Sequence, residues 1–75
     1  MLAFYNGAVM SVAKVIEICA ASPKSIEDAV QKGVSRASET IDGIQGVWVQ
    51  DIKAEIENGR IAQWRVNLKV TFILN

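Results

Sequence analysis

The hydrophobic pattern changes period along the chain, and each change predicts an element. Residues 11–21, with VAKVIEICA at their centre, are short and β-branched, as a strand is. Apolar residues lie on both faces, Val12, Ile16 and Ile18 on one and Val15 and Cys19 on the other, so cover on both sides is expected. Ser22-Pro23 ends the strand, because proline lacks the N–H that a ladder needs. A helical period then takes over. Ile26, Ala29, Val30, Gly33, Val34, Ala37 and Ile41 form one stripe, and Gln31, Lys32, Ser35, Arg36 and Glu39 fall outside it. Ser25 opens this helix, with Asp28 completing a capping-box pattern, and Glu27 and Asp28 suit the positive end of the dipole. Gly33 lowers helix propensity by ~1 kcal/mol, so a packing reason is expected for it. Ala29, Gly33 and Ala37 would let the helix approach a sheet closely, and Gly43 is expected to close it as a C-terminal cap.

The remainder alternates with a period of two. Val47–Glu57 and Arg60–Leu74 read as strands joined by Asn58-Gly59, which tolerates the positive φ angles of a type I′ turn. In the last strand Ala62, Trp64, Val66, Leu68, Val70, Phe72 and Leu74 face one way, while Gln63, Arg65, Asn67, Lys69 and Thr71 face the other. A two-residue loop without a bulge pairs Glu57 with Arg60, Ile52 with Arg65 and Trp48 with Lys69. That register puts Trp48, Ile52 and Ile56 on the face opposite the helix, as an exposed apolar cluster. The predicted fold is α+β, a β-α-β-β chain in which a three-stranded antiparallel sheet wraps around one helix. The opening MLAFYNGAVM has no pattern continuous with the first strand. Residues 1–10 are therefore expected to be an N-terminal extension, non-native or disordered, ahead of a single domain at 11–75.

Composition adds a reason for association. A chain of 75 residues and 8.2 kDa buries only ~60% of its unfolded surface, yet 51% of its residues are apolar and mean hydropathy is +0.22. One cysteine forms no intrachain disulfide, and without histidine the usual zinc sites cannot be built, so assembly of several copies is the expected source of stability. Eight basic residues balance eight acidic ones, which argues against nucleic acid as the main partner. No apolar run is long enough to span a bilayer, and the single cysteine favours the cytoplasm.

Candidate chemistry is sparse. Lacking histidine, the chain offers no familiar nucleophile–base set, and its glycines are too scattered for a phosphate loop, so a non-enzymatic role is expected. Cys19 is expected to be a small buried hydrophobe and Trp64 a core residue. Trp48 would either stack a planar ligand or pack a neighbouring subunit. Arg65 could grip a phosphate or carboxylate, but an intersubunit ion pair or a solvated strand position is the favoured expectation. Asp51, Glu55 and Glu57 project from one side of the second strand, as a salt-bridged or solvated face in preference to oxygen ligands for a hard cation.

From Val12 to Leu74 the chain resembles the dodecins, in VAKVIEI for the first strand, SPKSIEDAVQKGVSRASET for the helix and WRVNLKVTF for the last strand. The resemblance implies a homododecamer, a hollow shell with helices outside and sheets lining a cavity. It also implies non-covalent binding of a flavin such as riboflavin or FMN for storage. In that family a tryptophan six residues after the helix threonine stacks on the flavin, and a glutamine seven residues before the terminal phenylalanine bonds its edge. These positions fall on Gly46 and Arg65, with Trp48 two residues beyond the first. The candidate ligand contacts are therefore Trp48, Arg65, Gly46 and Gln63, and no catalytic or metal residue is expected. The alternative is an assembly without flavin in which Trp48 and Arg65 make subunit contacts. It would hold cations such as calcium, or an anionic cofactor such as coenzyme A.

Overall fold

The computed structural model describes residues 12–74; the expected extension at 1–10 lies outside them. The order is β1 (Val12–Ser22), α1 (Ile26–Ser38), β2 (Ile44–Glu57) and β3 (Arg60–Leu74). The strands form one antiparallel sheet in the order β1-β3-β2, so β3 is central and both edges come from the outer strands.

Helix α1 begins where the capping residues lie. The Asp28 N–H donates to Ser25 Oγ at 2.9 Å, and Ser22 Oγ donates to Asp28 Oδ2 at 2.5 Å. Ser22 is fully buried, and its hydroxyl also accepts the Lys24 N–H at 3.0 Å, so one side chain ties the end of β1 to the start of the helix. The other end departs from expectation. Glu39 is the C-cap, and the Thr40 and Ile41 N–H groups both close on the Ala37 carbonyl. Gly43 does have positive φ, +77°, but it leads into β2, where its carbonyl accepts the Ile73 N–H at 3.1 Å.

The helix lies against β1 and β3 through its small residues. Ala29, Val66 and Leu68 form the buried centre, with Ile18, Ala20, Ile26, Val30, Val47 and Val49 packed around them. A Cβ added at Gly33 would lie 2.9 Å from Leu68 Cδ1 and 3.2 Å from Ala20 Cβ, which supplies the packing reason its low propensity called for. Between α1 and β1 an open groove of about 670 Å³ remains, floored by apolar residues and rimmed by Lys32 and Arg36.

The hairpin turn forms as expected, with Asn58 at φ 52° and Gly59 at φ 76°. Its register does not run straight. Glu57 pairs with Arg60 and Trp48 with Lys69, but Ile52 pairs with Val66 rather than Arg65. Gln45 and Gln50 in β2 and Ala62 in β3 are each an unpaired extra residue, and the shifts at Gln50 and Ala62 cancel. Between them every β2 side chain changes face. Ile52, opposite buried Val66, and Ile56, opposite Ile61, point to the helix side instead of away from it.

Candidate functional site

The face without a helix is a lattice of polar side chains with one large aromatic ring. Its central row comes from β3: Gln63, Arg65, Asn67, Lys69 and Thr71. Their partners on β1 are Ala21 for Arg65, Cys19 for Asn67 and Glu17 for Lys69. Their partners on β2 are Glu55 for Gln63, Lys53 for Arg65, Asp51 for Asn67, Trp48 for Lys69 and Gly46 for Thr71. All four candidate contacts, Trp48, Arg65, Gly46 and Gln63, therefore share this face, because cross-strand partners project to the same side.

The carboxylates brought here by the bulges are held by the polar row. Asn67 Nδ2 donates to Asp51 Oδ1 at 2.7 Å. Glu55 accepts from Gln63 Nε2 at 2.5 Å and from Arg65 Nε at 3.0 Å. These bonds, first from Gln63 and then from Arg65, hold the Glu55 carboxyl below its ordinary range. Lys53 stands opposite Arg65, and Glu55 between them relieves the repulsion of like charges. Glu55 is thus ion-paired with Arg65 on this face, and Asp51 is hydrogen-bonded to the neutral Asn67 amide. Among the described residues no group of three or more potential ligands is arranged to hold a metal ion.

Cys19 is exposed on this face and not a buried hydrophobe; its Sγ lies 3.4 Å from an Arg65 Nη1 donor. The period of two explains the difference. Even-numbered residues of β1 meet the helix, and odd ones, Cys19 included, face the uncovered side. Trp64 is half-buried opposite Ser22, in keeping with a core role.

Trp48 remains 66% exposed, with the Lys69 ammonium 5.6 Å from its ring centre and Glu17 4.0 Å from that ammonium. Elsewhere on the sheet a shallow depression of about 450 Å³ is bordered by Glu17, Cys19, Gln50, Asp51 and Asn67. A Cβ added at Gly46 would meet nothing within 4 Å. Of the positions where the family resemblance expects ligand contacts, Gly46 carries no side chain, and the Arg65 guanidinium is bonded to Glu55 and lies beside Cys19. Two residues nearer the turn on each strand stand Trp48 and Gln63. Strands running in opposite directions make both displacements point the same way, and six residues of β3 separate the partner of the aromatic position from the amide position in either case.

A β-α-β-β unit with one face under a helix and the other presenting an aromatic ring among fixed amides and charges is a binding subunit in architecture. The family model for dodecin matches residues 12–75. The calcium dodecin of Mycobacterium tuberculosis is 35% identical over 63 residues, 84% of this chain and 89% of that protein. The dodecin of Streptomyces coelicolor superposes with a TM-score of 0.85 at 33% identity, over 89% of this chain and 96% of that one. The structure of the mycobacterial protein, described as a calcium-chelating antigen with a novel calcium-binding site, superposes at 0.75 with 35% identity, over 87% and 93%. The chain belongs to the dodecin family of small ligand-binding proteins. Among the described residues no helix is long and apolar enough to cross a membrane.

Proposed function

We propose that this chain is a non-enzymatic, self-assembling subunit, homododecameric as its family resemblance implies. In this reading its helix-free sheet face holds a planar ring of the flavin class against Trp48. The observation that carries the reading is the ring of Trp48, two-thirds exposed on the same face as Gln63. Stacking on an exposed indole favours a flat, polarisable ligand. The Gln63 amide gives one N–H to Glu55 and keeps its carbonyl as an acceptor for an imide edge. Arg65 is a positioning residue, holding Glu55 in place from the far side. The single domain at 11–75 and a cytoplasmic setting complete the proposal.

A second reading has observations of its own. Lys69 lies over Trp48 and Arg65 is tied to Glu55, as residues that serve subunit contacts would be. The 35% identical relative is a calcium dodecin, which favours a cation over a flavin in that reading. Titrating the protein into riboflavin or FMN while following flavin fluorescence separates the two. Quenching that saturates near one flavin per chain and disappears in Trp48→Ala supports stacking, with Gln63→Ala weakening binding more than Arg65→Ala. Absence of quenching at micromolar protein rejects the flavin reading and leaves the second.

A further inference from the structure

One rung crosses the whole helix-free face beside the exposed indole. Lys69 on β3 pairs with Glu17 on β1 and with Trp48 on β2, so all three side chains project together. The Lys69 ammonium lies over the indole, 5.6 Å from the ring centre, and 4.0 Å from Glu17 Oε2. Neither contact is a hydrogen bond, and among the described residues the ammonium makes none, so its three donors are unspent. Glu17 holds it weakly, because the Glu17 side chain is 71% exposed and an ion pair in water contributes little. The other cations of this face are out of reach. Arg65 and Lys53 stand across from each other two pairs nearer the turn, ~13 Å along the strands, and Arg65 is committed to Glu55. Away from the turn the next rung is Val15, Thr71 and Gly46, which carries no charge, and Gly46 leaves the surface beside the indole open.

We infer that Lys69 makes this face selective for a planar ring that carries an anionic group, and that it does so by guarding the Trp48 ring. The inference rests on the stacking reading above and names the ligand class for that same site. Without a ligand, the ammonium lies over one face of the indole. A neutral ring that takes this face must push the ammonium off and gives it nothing in return. A ring bearing a phosphate or carboxylate supplies a charge-assisted partner, which outweighs an exposed cation–π contact. The ammonium then turns to the anion on its flexible stem, and the vacated indole face receives the ring. Lys69 is thus a specificity-determining residue, and Glu17 is a placeholder that the incoming anion replaces.

Riboflavin and FMN share one ring and differ by a phosphate, so the pair tests the inference directly. Each is titrated with full-length wild type, Lys69→Gln and Lys69→Arg while flavin fluorescence is followed, and circular dichroism checks that the fold is kept. Wild type is expected to bind FMN about tenfold more tightly than riboflavin, with the gap narrowing as salt rises. Lys69→Gln should move the two ligands in opposite directions, FMN weaker and riboflavin tighter, until the preference is gone. Lys69→Arg keeps the charge and should keep the preference. A purely structural role would weaken both ligands alike. Equal affinities in wild type, or an FMN preference that persists in Lys69→Gln, overturns the inference and leaves stacking on Trp48 standing. Loss of both flavins in a folded Lys69→Gln overturns it as well. No quenching of either flavin by wild type removes the stacking reading and the inference with it.

Discussion

Replacing Gly33 with alanine sets two effects of similar size against each other. In the interior of a helix, alanine is favoured over glycine by ~1 kcal/mol. Here the new methyl would sit 2.9 Å from Leu68 Cδ1 and 3.2 Å from Ala20 Cβ, where carbon pairs prefer about 3.5–4.0 Å. Leu68 is fully buried and Ala20 has no torsion to relieve the contact, so the helix must lift or the core must shift. Overpacking of this kind costs about 1–3 kcal/mol. Packing therefore outweighs propensity, and Gly33→Ala should destabilise by roughly 1 kcal/mol, with Gly33→Val considerably worse. The assay is urea unfolding followed by circular dichroism at one fixed protomer concentration, since assembly would couple to stability. Ser35→Ala, at an exposed position of the same helix, reports a propensity gain without a core contact, less the exposed bond that Ser35 Oγ accepts from Gln31. A rise in midpoint for Gly33→Ala as large as that for Ser35→Ala would show that the helix has slack above the sheet. The account of the small-residue stripe would then be refuted.

Ser22→Ala removes a buried hydroxyl that links β1 to α1 and should lower stability by ~1 kcal/mol in the same assay. The Ser22 hydrogen bond is also the leading cause of the lowered Asp28 pKa, so its contribution is full above the ordinary aspartate value and fades as pH falls through the depressed one. Wild type should therefore lose stability more steeply than Ser22→Ala below about pH 4, and parallel acid titrations would contradict this. Gly59→Ala meets no atom within 4 Å, but its φ of +76° should still cost about 1–2 kcal/mol, read as a lower melting temperature.

The elements themselves are legible in the chain because each rests on a local cause. The Asn58-Gly59 turn, the Ser25 cap and the alternation of β3 from Gln63 onward all act within a few residues, and all stand where the pattern puts them. The helix-free face is harder to read wherever a long-range register enters. An unbroken ladder places Ile52 and Ile56 on the wrong side and misses the bonding of Asp51 and Glu55 to the β3 row. A signal for the bulges does exist. Apolar residues of β2 occupy odd positions at Val47 and Val49 and even ones at Ile52, Ala54 and Ile56, so the parity changes across Gln50. In β3 Ile61 is odd while Trp64 and Val66 are even, and the change brackets Ala62. Cys19 departs from its expected burial for a different reason: apolar residues on both sides of β1 imply two covers, whereas α1 supplies one. The unpaired Gln50 and Ala62 thus set the two sides of the hairpin, turning Ile52 and Ile56 to the helix side and Asp51 and Glu55 to the opposite face.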